Sequence, residues 1–196
     1  MEVFATDRQR ANEENDAWAS LCALASTDNE GNAKVRTLVL RNIGGHLAVF
    51  VNKTSPKWSQ LANHPEAQLL IFLSSISVQY RLDVSLKTVP KKLVNESWLL
   101  RPDIPKQMDW FYSKVQPQSS IVESRSKLEH AFRKHQSAED VEQSPESAQG
   151  LFLIPHRIER LELSSNKIHS RLAWRLILKG NKNKPVKHWQ KEQLVP

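Results

Sequence analysis

The sequence predicts a mainly β (α+β) fold, an antiparallel barrel with flanking helices, and two observations carry this prediction. The first is a series of short apolar runs separated by turn residues. The second is residues 76–87, "ISVQYRLDVSLK", which alternate between apolar and polar positions without a break. Such alternation predicts a strand with one buried and one solvated face, as in antiparallel sheets. We expect a single domain over residues 1–196, because that length can bury one substantial core.

The first quarter of the chain predicts a helix followed by an antiparallel meander. Thr6 and Gln9 have the spacing of a capping box, which predicts a helix that ends near residue 20. The runs "LCALAST" and "AKVRTLVLRNI" follow as strands joined by the turn "DNEGN". The glycine pair at 44–45 then predicts a tight hairpin into the strand "HLAVFVN".

The second quarter predicts a short helix and two further strands. The helix "SPKWSQLANHP" begins at Ser55 and has Pro56 at its first position, where the missing N–H costs little. Pro65 ends it. Two antiparallel strands, or one long bent strand, are expected over residues 68–89.

The second half predicts helices and then strands again. Helices are expected at "KKLVNESWLL" and at "SSIVESRSKLEHAFRKH". In the second helix the apolar residues Ile121, Leu128 and Phe132 fall on one face. Residues 136–149 are polar and acidic and predict a mobile loop. Strands resume with "GLFLIPHRIERLEL" and "HSRLAWRLIL", and a basic turn "KGNKNKPVK" leads to the terminal "HWQKEQLVP".

Composition excludes global disorder and a membrane protein. Hydrophobic residues make up 39% and charged residues 25%, which is ordinary for a globular protein. The single cysteine, Cys22, cannot form an intramolecular disulfide, which favours a reducing cytoplasm. The first residues lack the pattern of an export signal, and no apolar stretch is long enough to cross a bilayer. We therefore expect a cytoplasmic protein.

The net charge of +7 lies mostly in the second half of the chain. Residues 167–191 contain eight basic residues and no acidic residue. Such a patch could bind a polyanion or a phosphorylated ligand, or it could simply be a solvated basic face. Only Trp174 and Trp189 interrupt the charges, too few for the aromatic platform of a single-strand binder. We therefore do not expect nucleic acid as a partner. No membrane partner is predicted, because no apolar stretch is long enough to cross a bilayer.

No motif for a metal or a phosphate loop is present. The histidines lack ligand spacing on a shared element, so no metal site is predicted. With only five glycines, the chain has neither a P-loop nor a dinucleotide-binding fingerprint. Any bound phosphate would have to be held by side chains. Ser55 and Lys57 at a helix N-terminus would suit a phosphate, although a simple N-cap and a solvated lysine are open alternatives.

The stretch "VRTLVLRN" carries two arginines, Arg36 and Arg41, five positions apart. Side chains alternate along a strand, so regular pairing would send these two to opposite faces. On these residues alone, a structural role is sufficient to explain the two arginines: their aliphatic stems pack on the strand and their guanidinium groups stay in water.

Seven stretches in this order resemble the pyridoxamine 5'-phosphate oxidase family of split-barrel flavoproteins: "VRTLVLR", "FVNKTSPK", "SVQYRLDV", "LLRP", "QSS", "KIHSR" and "WQKEQLVP". The resemblance covers roughly residues 20–196. It implies an antiparallel split β-barrel, a homodimer with FMN in a groove between the two barrels, and an oxidase. In this family a hydride equivalent passes from the substrate to flavin N5 and oxygen reoxidises the flavin. The alternative is an FMN-binding protein without that oxidase activity, acting on another substrate or as a flavin binder.

The resemblance also implies roles for individual residues. Arg36 would hold the FMN phosphate, and Gln79 would reach the cofactor of a partner subunit. The cofactor-binding set it implies is Arg36, Leu38, Val39, Leu40, Arg41, Phe50, Val51, Ser55, Lys57, Gln79, Gln118, Ser119 and Arg171. Arg41 and Arg101 would bind a small phosphorylated substrate, and Lys167 and His169 would contact its ring as the catalytic pair.

Several positions depart from the family pattern. Arg41 stands for a lysine and Lys167 for an arginine, and these swaps change the donor geometry of a phosphate site. The other departures are Pro56 for a basic residue, Ser97 for a tyrosine, Pro105 for a serine and Leu161 for a tryptophan. We therefore expect the FMN contacts to be better preserved than the substrate contacts. Because Arg36 and Arg41 must both face one groove, we also predict a bulge or strand end near residue 40 or 41.

Overall fold

The computed structural model describes residues 2–136, 142–179 and 186–196. Within them lie five α-helices: α1 Glu2–Glu13, α2 Pro56–Asn63, α3 Lys91–Leu99, α4 Asp103–Lys114 and α5 Arg125–Gln136. The strands of the same residues are β1 Leu21–Thr27, β2 Ala33–Val39, β3 Arg41–Ile43, β4 His46–Asn52, β5 Glu66–Leu73, β6 Val78–Thr88, β7 Ala148–Glu162, β8 Ser170–Lys179 and β9 Val186–Leu194.

These strands form one antiparallel sheet with the order β2-β1-β5-β6-β7-β4-β3, to which β8 is added beside β7, and β9 beside β8. Strands β2 and β3 lie at opposite ends of this order, yet only Leu40 separates them in the chain. The sheet must therefore curl until its two edges meet. This confirms the predicted fold class, an antiparallel barrel with flanking helices.

The strand break near residue 40 is also confirmed. Strand β2 pairs with β1 as far as Val39, and Arg41 begins the pairing of β3 with β4. Between them Leu40 turns its side chain into the core, and its N–H donates to the carbonyl of Ser20 at 2.9 Å. The regular alternation that would separate Arg36 from Arg41 is thus interrupted.

The alternating stretch predicted by the sequence supplies the centre of the core. Val78, Tyr80, Leu82 and Val84 of β6 are all fully buried inside the barrel. Helix α1 covers one end, where Phe4 packs edge-on against Tyr80 with ring centroids 4.9 Å apart. The Tyr80 hydroxyl donates to Asp7 at 2.6 Å, and burial followed by this contact raises the pKa of Tyr80. Each buried side chain of this size contributes about 1.5–3 kcal/mol.

Two helix predictions were wrong in part, and one helix was missed. Helix α1 begins at Glu2 and ends at Glu13, so Thr6 lies inside it and forms no capping box. Asn15 ends it in the left-handed conformation, with φ 57°, and Asp16 caps a separate short turn. Helix α5 begins at Arg125, after Ser124 accepts a hydrogen bond from the Lys127 N–H, which leaves Ile121 outside the helix and exposed. Helix α4 was not predicted, because Pro102 and Pro105 mask its start.

The predicted hairpin turn at residues 44–45 and the predicted cap of α2 were confirmed. Gly44 and Gly45 have φ of 56° and 79°, as a two-residue hairpin turn requires. Ser55 caps α2 and Pro56 is its first residue. The predicted loop over residues 136–149 and the predicted basic turn fall partly on 137–141 and 180–185, which lie outside the described residues. No helix in the described part of the chain is both long and apolar enough to span a membrane.

Candidate functional site

A cluster of polar side chains forms where β1 and β2 meet the N-terminal end of α2. Arg36 lies opposite Leu24 in the β1–β2 ladder, and its guanidinium reaches across β1 towards α2. Its Nη1 donates to the Ser26 hydroxyl at 2.6 Å, and its Nη2 donates to the side-chain oxygen of Gln60 at 2.8 Å. Both side-chain partners are neutral, so the charge of Arg36 remains uncompensated.

Lys57 adds a second cation at the start of the same helix. The Ser55 hydroxyl caps α2 by accepting from the Lys57 N–H at 3.3 Å, and it also accepts from Lys57 Nζ at 2.7 Å. Lys57 Nζ donates further to Gln118 Oε1 at 2.9 Å. The position of Gln118 is set by its own N–H, which donates to Thr54 Oγ1 at 3.2 Å. We call Ser26, Arg36, Ser55, Lys57, Gln60 and Gln118 the anion cluster.

The anion cluster is electrostatically unsatisfied. Among the described residues no carboxylate lies within ion-pair distance of Arg36 or Lys57. Burial lowers the pKa of Arg36. Burial and then the charge of Arg36 lower the pKa of Lys57, and the charge of Asp109 opposes them. Two partly buried cations beside a helix N-terminus favour an anion at this point.

Two adjoining cavities extend from the cluster. The first, of about 240 Å³, is lined by Lys57 and Gln118 and by the apolar side chains of Phe50 and Val51. The second, of about 450 Å³, is lined by Thr37, Leu38, Val39, Arg41, Asn42, Ile43, Phe50, Ser97, Leu100 and Arg101. Leu38, Phe50 and Arg101 border both cavities, so together they form one groove.

Arg101 lies on the wall that the two cavities share, and its charge is compensated. Its Nη1 donates to Asp109 Oδ2 at 2.5 Å, and its Nη2 donates to the Pro105 carbonyl at 3.3 Å. The other Asp109 oxygen accepts from Asn52 Nδ2 at 3.0 Å. The guanidinium also lies over the Trp98 ring, 5.0 Å from its centroid. Arg101 is therefore held in an ion pair within the wall of the groove.

A second group of predicted residues lies at a different cavity. Gln79, Leu161 and Arg171 line a space of about 150 Å³ together with Arg81 and Glu159. Glu159 is buried and accepts from Arg171 at 2.8 Å, while Arg81 and Arg157 also pair with it. Burial would raise the pKa of Glu159, but the hydrogen bond from Arg171 and the nearby arginine charges hold it below its usual value.

The structure thus divides the predicted site residues. The groove or its anion cluster contains Arg36, Leu38, Val39, Arg41, Phe50, Val51, Ser55, Lys57, Arg101 and Gln118. Leu40 is buried and can offer only its backbone, and Ser119 follows Gln118 in an exposed left-handed conformation with φ 69°. Lys167 and His169 are exposed between β7 and β8, where His169 Nδ1 accepts from the Ser164 N–H at 3.0 Å.

Sequence reasoning missed several residues of the groove. Asp109 was overlooked because α4, which carries it, was not predicted. Gln60 and Ser26 were overlooked because they meet Arg36 only through tertiary packing. Asn52 and Thr54 lie within a recognised stretch, "FVNKTSPK", and the Asx-type contact from Thr54 N–H to Asn52 Oδ1 at 3.0 Å was a detectable local signal.

Known proteins share both the sequence pattern and the fold of this chain, although no family model matches it. The chain is 29% identical over 181 residues to a pyridoxine/pyridoxamine 5'-phosphate oxidase of Pseudomonas syringae pv. tomato, which covers 91% of this chain and 79% of that protein. A protein of the same name from Pseudomonas entomophila is 26% identical over 181 residues, with the same shares covered.

Two solved structures share the fold. PhzG from Burkholderia lata, in complex with tetrahydrophenazine-1-carboxylic acid, matches with a TM-score of 0.80 and 20% identity over 96% of this chain and 88% of that one. A pyridoxamine 5'-phosphate oxidase-related, FMN binding protein from Nostoc punctiforme matches with a TM-score of 0.77 and 18% identity over 100% and 96%. The sequence relatives confirm the predicted resemblance to the pyridoxamine 5'-phosphate oxidase-like split-barrel family, and the two solved structures show that the fold is shared.

Proposed function

We propose that this chain is an FMN-dependent oxidoreductase whose cofactor lies in the groove next to the anion cluster. One observation carries the proposal: among the residues that the structure describes, the cations Arg36 and Lys57 form side-chain hydrogen bonds with neutral partners only. A phosphate monoester at the N-terminus of α2 would compensate both charges. The names of the relatives, which include an FMN binding protein, support the same cofactor.

The residues present fit FMN at both of its ends. Ser55, Lys57, Arg36 and Gln118 offer hydroxyl, ammonium, guanidinium and amide donors for the phosphate. Apolar side chains of the groove, Phe50 among them, offer a surface for a flat ring. Ser26 and Gln60 would keep Arg36 aimed at the phosphate while it binds.

The chemistry would belong to the cofactor and the orientation to the protein. A bound flavin would supply the redox chemistry, which is acceptance of a hydride equivalent from the substrate and transfer of the electrons to oxygen. Arg41 would bind an anionic group of the substrate in the second cavity. Lys167 and His169 would contact the substrate ring, and Gln79 and Arg171 the flavin. In one chain these four residues lie away from the groove.

We therefore propose that a second copy of the chain completes the site as a homodimer. One row of paired residues crosses β2, β1, β5 and β6 on the outward side of the barrel: Thr37, Ala23, Leu70 and Arg81. In the neighbouring row on the same side, Phe72 of β5 pairs with Gln79 of β6. This side exposes large apolar residues: Val35 at 68%, Val39 at 45%, Leu70 at 41% and Phe72 at 39%. A contiguous apolar sheet face of this kind favours coverage by a partner.

Sedimentation velocity tests the homodimer. We expect a dimer for the wild type and a monomer for Phe72→Asp, because a buried unpaired carboxylate opposes association. Leu178→Asp is the control, since Leu178 is exposed on β8 away from this face. A monomeric wild type that nevertheless carries full activity would contradict the completed site.

The second candidate is an FMN-binding protein without oxidase activity. It is favoured by Ser97, Pro105 and Leu161, which replace side chains that the family uses around substrate and flavin. At position 105 only the backbone carbonyl reaches Arg101. This candidate shares the cofactor and the groove with the first, and the two differ in the reaction that the bound flavin carries out.

An absorption spectrum of the purified protein tests the proposal and separates the two candidates. We expect oxidised-flavin bands, bleaching of these bands when a substrate is added without oxygen, and peroxide when oxygen returns. A colourless protein that takes up no added FMN would contradict both candidates. If flavin bands are present but no candidate amine, alcohol or ring substrate bleaches them, the second candidate is supported.

The cytoplasmic location stays a prediction.

A further inference from the structure

The second cavity offers its ligand one uncompensated cation. Two arginines line it, Arg41 and Arg101. The charge of Arg101 is already paired with Asp109, whose second oxygen is held by Asn52. Their side chains are only 24% and 14% exposed, so the pair is shielded from water and stays associated. The net charge that this wall presents is therefore close to zero.

The charge of Arg41, unlike that of Arg101, is not compensated by a carboxylate of the described residues. Arg41 is exposed at the start of β3, and within the described part of the chain it makes no ion pair or side-chain hydrogen bond. A single free guanidinium presents two parallel N–H donors, which match the two oxygens of a carboxylate. One such fork balances one negative charge.

The rest of the second cavity suits an apolar ring and lacks further charge for a phosphate. Its walls include Leu38, Val39, Ile43, Phe50 and Leu100. The polar lining residues other than the two arginines are neutral: Thr37, Asn42 and Ser97. A phosphate ester would bring close to two negative charges to a cavity whose Arg101 is already paired with Asp109. Removing a dianion from water without matching cations is unfavourable.

We propose that this cavity selects a substrate with a carboxylate on an apolar ring over a phosphate ester, and that Asp109 sets this preference by neutralising Arg101. The inference rests on the proposed FMN site, because the substrate must lie against the flavin. Asp109 acts through Arg101 and is a positioning residue, whereas Arg41 contacts the substrate.

The test uses the FMN-loaded protein and two probes that share one ring, naphthoate and naphthyl phosphate. Binding is read from the shift that each probe causes in the flavin absorption bands, without turnover. We expect naphthoate to bind about tenfold more tightly, the worth of one charge-assisted contact. Arg41→Gln should weaken naphthoate binding by a similar factor.

The variant Asp109→Asn keeps the shape of the side chain and frees the charge of Arg101. It should tighten the binding of naphthyl phosphate by about tenfold and change that of naphthoate less. Glu96→Gln is the matched control, because Glu96 is an exposed carboxylate on α3 that lines neither cavity and its loss changes the net charge equally. This control should leave both affinities unchanged.

The outcomes separate this inference from the proposed function. A protein that loads with FMN but binds naphthyl phosphate as tightly as naphthoate, or binds neither probe, would overturn the inference and leave the cofactor assignment intact. A protein that takes up no FMN would overturn both. If Asp109→Asn does not fold, the relative affinity of the wild type for naphthoate and naphthyl phosphate still tests the inference.

Discussion

Arg36 and Arg101 belong to the same groove, and their electrostatic surroundings are opposite. Arg36 bonds to the Ser26 hydroxyl and the Gln60 amide, both of them neutral. Arg101 forms a 2.5 Å ion pair with Asp109 and has the Pro105 carbonyl on its other side. Both are arginines at positions that resemble phosphate contacts of one family. The availability of an arginine to a ligand therefore depends on its partners and not on its residue type.

The difference has a thermodynamic consequence. Holding Arg36 and Lys57 partly buried without a carboxylate destabilises the ligand-free protein. An anion that binds them offsets this cost, so ligand binding and stability are coupled at this end of the groove. At Arg101 the ion pair already stabilises the wall, and an incoming anion gains little.

Removing Arg36 should give the largest effect. Arg36→Met should weaken FMN binding by about 100-fold, since it deletes a charge-assisted contact to the phosphate in a partly buried site. Lys34→Met, two residues earlier on β2, removes an exposed lysine paired with Asp28 and should leave FMN binding unchanged. Titration of the FMN-free variants with FMN measures both. Equal affinities in the two variants would contradict the role of Arg36.

An acidic partner for Arg36 would make its surroundings resemble those of Arg101. Gln60→Glu places a carboxylate where Gln60 Oε1 now accepts from Arg36. FMN should bind about tenfold more weakly, while the free energy of unfolding of the FMN-free protein stays equal or rises by about 1 kcal/mol. Gln143→Glu, an exposed site away from the groove, is the control. A variant that retains wild-type FMN affinity would show that neutrality of the partners is irrelevant.

The lowered pKa of Lys57 predicts a dependence on pH. Burial and Arg36 move it below the ordinary value of 10.5, so FMN binding should weaken by about fivefold as pH rises through that lowered pKa and the ammonium is lost. In the FMN-free protein the sign is reversed. Between the folded-state pKa and 10.5 the unfolded chain binds more protons, and stability therefore rises with pH. Lys57→Arg should reduce the pH dependence of both FMN binding and the stability of the FMN-free protein.

The smallest expected effect is at Thr54. Its hydroxyl accepts from the Gln118 N–H and donates to Asn52 Oδ1 at 2.8 Å, so it links the anion cluster to the Asp109 wall. Thr54→Val should weaken FMN binding by about threefold, the worth of one neutral hydrogen bond. Thr54→Ser retains the hydroxyl and should bind normally. Equal binding by the valine and serine variants would remove Thr54 from the site.

Local chemistry was predictable from the sequence, and tertiary partners were not. Ser55 and Pro56 marked the start of α2, because capping depends on neighbours in the chain. The break at Leu40 was predicted from the family resemblance, which implies that both arginines face one groove, and the structure confirms the break. Gln60, in contrast, meets Arg36 across 24 positions of the chain, and no periodicity encodes that distance.

The same distinction explains the errors. Thr6 and Gln9 have the spacing of a capping box, but packing of Phe4 on Tyr80 and the Asp7 contact extend α1 back to Glu2. Helix α4 was hidden by its prolines, and with it the placement of Asp109. Arg101 therefore looked free for a phosphate in the sequence, whereas the structure pairs it.

The central claim is that Arg36 and Lys57 hold the phosphate of FMN, and a paired titration tests it most directly. Calorimetric titration of the FMN-free protein with FMN and with riboflavin compares two ligands that differ only in the phosphate. We expect FMN to bind about 100-fold more tightly than riboflavin in the wild type, and this difference to be largely lost in Arg36→Met. Riboflavin binding as tightly as FMN in the wild type would contradict the account.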